Sequence, residues 1–123
     1  MAGVWKKSSA KLVEMFDRAV GEFPDIERRK MFGYPCAFLG GHMVTGLHEE
    51  NWIVRLSAGD REQLLAQGGT TFAPMGRAMT EYVVMPVEVR RNPQTLHAWL
   101  EKSLAYVRAL PPKKPKRPKR SNS

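Results

Sequence analysis

A single cysteine, Cys36, occurs among the 123 residues, so no disulfide can form within the chain, and a reducing compartment is the expectation. Long apolar runs are missing as well: nothing approaches the roughly 18–20 consecutive residues that a membrane-spanning helix needs. The opening residues, Met1-Ala2-Gly3-Val4-Trp5-Lys6-Lys7, lack the apolar stretch of a secretory leader. A cytoplasmic location is therefore expected, with no membrane among the partners. The common enzyme signatures are also absent. No nucleophile elbow is followed by Asp and His, and no Gly-rich phosphate loop sits between a strand and a helix. The histidines His42, His48 and His97, with Cys36 as a fourth candidate ligand, are spaced unlike any standard zinc set. No catalytic residue, no metal and no cofactor is expected, and the chain reads as a non-enzyme. No repeat at a period of 20–50 residues is visible.

Acid is missing from one segment in particular. From residue 113 onward the chain holds six cations (Lys113, Lys114, Lys116, Arg117, Lys119, Arg120) and no Asp or Glu. The formal net charge is +8, with 20 basic and 12 acidic residues. Without those six cations the rest of the chain has 14 basic residues against the same 12 acids, a net of +2. Basicity belongs to the tail, and the remainder is close to balanced.

What is present is one domain's worth of pattern, since 42% apolar residues over this length suffice for a single core. The organising stretch is Lys30 to Leu56. Short apolar runs (Tyr34 to Leu39, Met43 to Leu47, Trp52 to Leu56) are separated by Gly40-Gly41 and by Glu49-Glu50-Asn51, the spacing of an antiparallel meander. Glycine accepts the positive φ angles of a two-residue hairpin turn, which suits Gly40-Gly41. A strand from about Ile26 to Phe32 precedes it, and its charged middle (Glu27, Arg28, Arg29, Lys30) places it at a sheet edge.

Helical periodicity flanks the meander. Leu12, Met15, Phe16, Ala19, Val20 and Phe23 form an i, i+3, i+4 stripe after a cap at Ser8 or Ser9, with Pro24 as the stop. Ser57, with Asp60 three places on, caps a short middle helix that ends at Gly68-Gly69. Residues 70–77 read as a loop, Tyr82-Val83-Val84 as a strand, and Pro86 as its end. Asn92-Pro93 starts the last helix, whose stripe is Leu96, Trp99, Leu100, Leu104, Val107 and Leu110 before Pro111-Pro112. The expected fold is two-layer α+β: an antiparallel sheet of about five strands, terminal helices packed on one face, and a short middle helix. Residues 1–7 are expected to be a flexible arm, 8–112 the domain, and 113–123 a disordered basic tail.

Two segments are candidates for recognition. Phe72, Met75 and Met79, with Arg77, lie near Pro74 and Gly76, and methionine repacks readily around a partner. With Tyr34, Pro35 and the exposed sheet edge they make a candidate protein-contact surface. The tail cations are the candidate nucleic-acid contact, because a mobile polycation meets phosphates without reading bases. Arg28, Arg29 and Lys30 would be a second basic patch. Cys36 is expected to be a small apolar core residue, since a reactive thiol needs a lowered pKa.

The order of features carries a resemblance. It comprises Lys30-Met31-Phe32-Gly33, the Gly-Gly hairpin, Trp52–Leu56 running into Ser57-Ala58-Gly59-Asp60-Arg61, Phe72-x-Pro74-Met75-Gly76-Arg77, Tyr82-Val83-Val84-x-Pro86, and Trp99 through Tyr106 to Leu110-Pro111-Pro112. In combination, from about Leu12 to Pro112, the chain resembles the TfoX N-terminal domain family. The resemblance implies an antiparallel two-layer fold similar to secretion chaperones, a bacterial source, and a link to regulation of competence genes. Full-length competence regulators of this kind carry a C-terminal helical domain where this chain has its basic tail. The family supplies no catalytic or ligand residues to carry over. The leading expectation is thus an accessory factor in transcription or competence, acting through contacts with an unknown protein partner as a monomer or weak dimer. The alternative is non-specific nucleic-acid binding through the tail.

Overall fold

The computed structural model describes residues 7–31, 33–73, 76 and 79–111. Met75 and Arg77 of the candidate surface, Phe32, Pro112 and the whole basic tail lie outside the described residues. The element order is α1 (Ala10–Val20), β1 (Glu27–Met31), β2 (Tyr34–Leu39), β3 (His42–His48), β4 (Asn51–Arg55), α2 (Ala58–Ala66), β5 (Thr70–Thr71), β6 (Tyr82–Val84), α3 (Val87–Arg90) and α4 (Pro93–Arg108). All strand pairs are antiparallel, in the spatial order β1-β2-β3-β4-β6-β5. The α+β reading holds, with six strands rather than five. The extra strand is β5, which the sequence presents as loop because two threonines are too short to show alternation.

Local chemistry explains most boundaries. Ser9 Oγ accepts the Leu12 N–H at 3.2 Å and starts α1. The helix stops at Val20 rather than continuing to Phe23. Pro24 disfavours helical geometry at Phe23, and the chain tightens into i→i+3 bonds from Glu22 to Ala19 and from Phe23 to Val20. Gly40 and Gly41 have φ of 60° and 85°, the two positive angles of a type I′ turn. Ser57 accepts from the Asp60 N–H at 3.4 Å, and Gly68 at φ 108° ends the chain path of α2. Asn92 Oδ1 takes the Gln94 and Thr95 amides, with Pro93 in the first helical turn. Pro86 ends β6 as expected, and four residues after it wind into α3, a single turn with no periodicity for a sequence pattern to reveal.

The two faces of the sheet are distinct. On one, Ala37, Leu47, Trp52, Val54 and Val83 meet Leu12, Phe16, Ala19 and Val20 of α1 and Leu96, Trp99 and Leu100 of α4 in one core. A smaller cluster joins Val44 to Leu104 and Val107. Fully buried Trp52 packs against Phe16 with ring centroids 5.3 Å apart. Its Nε1–H donates to Thr45 Oγ1 at 2.8 Å, and Thr45 in turn donates to the Ile53 carbonyl at 2.6 Å. Buried Ser103 interrupts the apolar stripe of α4 and donates to the Val44 carbonyl at 3.1 Å, tying the helix to β3. At the other end of the sheet, Ser8 Oγ donates to the Glu49 carbonyl and the Ser9 amide donates to the Glu50 carboxylate, both at 2.6 Å. The β3–β4 turn therefore seats the start of α1, even though Glu49 sits at φ 56°, a costly angle for a residue with a Cβ.

Two outcomes are expected from this packing. Thr45→Val preserves shape but strands the indole N–H of Trp52, so it should cost about 1–3 kcal/mol in chemical unfolding, and adding Trp52→Phe should cost less than the sum of the two single changes. At the α1–α4 junction, His97 Nδ1 lies 2.6 Å from Glu22 and its ring stacks on Phe23 at 4.7 Å. The hydrogen bond to Glu22 raises the pKa of His97, with a further lift from Glu101 against a small loss from burial. A pKa raised in the folded state stabilises below the unfolded value of about 6.5, and that stability is lost as pH rises through the folded value. The stability gap between wild type and His97→Gln should thus be wider at pH 5.5 than at pH 8.5, and should narrow with salt.

Candidate interaction surface

The face of the sheet turned away from the helices carries Tyr34 and Phe72, two of the residues singled out for recognition. Register places Met31 opposite Tyr34, and Arg29 opposite Cys36 opposite Gly46; directly paired residues share a face. On this face Tyr34, His48 and Phe72 form a row of rings, with centroids 5.2 Å apart between Tyr34 and His48 and 5.5 Å between His48 and Phe72. Beyond β5, the Met79 amide donates to the Phe72 carbonyl at 2.9 Å, which holds Met79 beside Phe72. The structure therefore brings Tyr34, Phe72 and Met79 together, although they are far apart in the sequence.

It also redistributes their roles. Tyr34 and Phe72 are buried, as is Pro35, which follows Tyr34 in the strand and so points to the helix side. These three are support. What the surface exposes is the pair of methionines at its two ends, Met31 at 39% and Met79 at 40% of full exposure. Sequence pattern did not single out Met31, because it stands in a charged run with no alternation. His48 is the half-buried spacer between the two rings.

Cys36 lies beneath this row. Burial pushes its thiol up to about 11, against smaller lowering effects from Arg28 and the Met31 amide, so it is a protonated thiol at neutral pH. Its Sγ would stand 3.0 Å from a Cβ built on Gly46, as would the Met43 methyl. Glycine at 46 is thus what lets the Cys36 and Met43 side chains close over β3. The remaining histidines are engaged separately. His42 Nε2 is 2.7 Å from the Pro111 carbonyl, which only accepts, so that nitrogen carries the proton. Among the described residues no three His, Cys, Asp or Glu side chains converge as metal ligands.

Part of the surface charge is paired. Arg28 bonds Asp17 at 2.7 Å, and Arg29 bonds Glu27 at 3.0 Å while lying 5.1 Å over the Phe38 ring. Lys30 has no carboxylate partner among the described residues. The run Arg28-Arg29-Lys30 therefore offers phosphates less free charge than its sequence implies. At the opposite corner, Arg55 Nε donates to Glu81 at 2.6 Å and its guanidinium lies 5.7 Å from the Tyr82 ring centroid. Burial alone would raise the Glu81 pKa, but hydrogen bonding and charge from Arg55, with help from Tyr106 and Arg61, leave it lowered. The Leu56 amide donates to the Glu81 carbonyl at 3.0 Å and Arg61 to the Leu56 carbonyl at 2.7 Å. This cluster ties Glu81, just before β6, to the end of β4.

No curated protein matches the chain. The family model described as "TfoX N-terminal domain" matches residues 18–107, an interval that runs from the second half of α1 almost to the end of α4 and includes the whole sheet. With that match covering most of the 123 residues and the sheet and helices arranged as the motifs imply, the chain belongs to the TfoX N-terminal domain family.

Proposed function

We propose that the chain is a non-enzymatic interaction domain, acting in the bacterial cytoplasm as an accessory factor in transcription or competence regulation through protein contacts. Membership of the TfoX N-terminal domain family supports this reading. The observation that carries it is the exposed pair Met31 and Met79 set at either end of a buried aromatic row. Isolated exposed apolar residues are ordinary. Two exposed, flexible thioethers, one registered opposite Tyr34 and the other on the residue whose amide bonds the Phe72 carbonyl, make an adaptable contact. The double variant Met31→Asp/Met79→Asp removes that contact without touching the core. In a quantitative pull-down from extract of the source cells, it should reduce specific capture by about tenfold or more, as loss of an interface anchor does, with an unchanged circular dichroism spectrum. Capture equal to wild type would overturn the reading.

A second reading rests on the six cations between Lys113 and Arg120 and the absence of acid beside them. In that reading the tail binds nucleic acid through phosphates. Taking about 0.9 per phosphate, the logarithm of affinity for a duplex should fall with the logarithm of salt with a slope of about −5. Replacing the six cations by glutamine should flatten that slope to near zero. A slope unaffected by the replacement would place any nucleic-acid contact on the folded domain instead.

A further inference from the structure

The sheet ends in two unlike edges. One is β5, two residues long. The other is β1, five residues long, with every residue exposed and β2 as its only strand neighbour among the described residues. An edge strand is a row of unpaired amides and carbonyls, and proteins commonly blunt such rows with proline, a bulge or a covering segment. Glu27-Arg28-Arg29-Lys30-Met31 contains no proline, and the irregularity of the sheet falls between β2 and β3, at Ala37/Phe38. Among the described residues, the protection left on β1 is the sign of its charge.

That sign selects the occupant. A second copy of the chain paired antiparallel about Arg29 would set Arg29 against Arg29 and Arg28 against Lys30 twice. Like charges directly opposite destabilise a strand pair, so self-association through β1 in this centred register is disfavoured. An incoming strand bearing acids meets the reverse situation. Lys30 has no carboxylate partner among the described residues. The ion pairs of Arg28 with Asp17 and Arg29 with Glu27 are largely exposed, and exposed pairs exchange partners at little cost. At the end of the strand Met31 shares a face with Tyr34 and carries the apolar row out to the edge.

Resting on the protein-contact reading above, we infer that β1 receives an acidic, extended segment of a partner protein, which adds antiparallel as a seventh strand. The segment has an apolar residue opposite Met31 and acidic residues opposite Lys30, Arg29 and Arg28. Main-chain hydrogen bonds supply the common part of the affinity and the alternating side chains supply the selection, as in other cases of strand addition.

The test uses the full chain and a fluorescein-labelled peptide, Thr-Val-Glu-Glu-Glu-Thr, followed by fluorescence anisotropy. A second peptide carries the same side chains with N-methyl groups on alternate amides, which block strand pairing and keep the charge. Saturable binding of the first peptide, lost on N-methylation and weakened about tenfold in Lys30→Glu, is the expected result. Slowed hydrogen exchange of alternate β1 amides should accompany it. Equal binding of the N-methylated peptide would mean simple attraction to the basic tail and would overturn the inference, as would no saturable binding at all. If the peptide fails while Met31→Asp/Met79→Asp still abolishes partner capture, strand addition falls and the contact reading stands. If that double variant captures normally, the contact reading falls, whatever the peptide does.

Discussion

The chain Trp52 Nε1–H to Thr45 Oγ1 to the Ile53 carbonyl holds the centre of this domain in one arrangement. Trp52 is large enough to fill the space under Phe16, but its one polar atom must be satisfied in a region closed to water. Thr45, diagonal to it on β3, supplies the acceptor and donates its own hydroxyl to the Ile53 carbonyl of β4. That fixes the β3–β4 register, and with it which side chains face the helices. A slip of one residue would turn every one of them to the wrong side. The location of Met31, Tyr34 and Cys36 on the opposite face follows, because β2 and β1 are registered on β3 in turn.

Helix placement uses polar contacts in the same economical way. Ser103 fastens α4 to β3 through the Val44 carbonyl, and Ser8 and Ser9 fasten α1 to the turn at Glu49-Glu50. With one face so occupied, the other carries the Phe72 ring against His48, with Met79 bonded to the Phe72 carbonyl and Glu81 paired to Arg55. Among the described residues β1 is an open edge. In this domain, what is available to a partner is set by what the helices leave uncovered.

Much of the fold was legible in the sequence. The helix stripes, the Gly40-Gly41 turn, the caps at Ser9, Ser57 and Asn92 and the edge position of the Glu27–Met31 strand all follow from local chemistry that a short window carries. Less was legible where the signal is tertiary. Two threonines become β5 only because Val83 and Val84 lie alongside them, and four residues become α3 because Pro86 redirects the chain. Of the candidate surface, only part of the geometry was legible. Tyr34, Phe72 and Met79 do converge, but burial of the first two could not be told from an alternating pattern, and Met31 was hidden in a charged run. His48 looked like a loop-side residue and is a spacer between rings. A polar residue at half-buried position carries no periodic mark.

In the function proposed above, partners meet β1 and the exposed Met79. The direct measurement is a chemical-shift titration of the full chain with the protein it captures. The account expects perturbed amides to cluster at Glu27–Met31 and around Phe72 and Met79, with α4 silent. Perturbation confined to Lys113–Arg120, or to the outer face of α4, would contradict it.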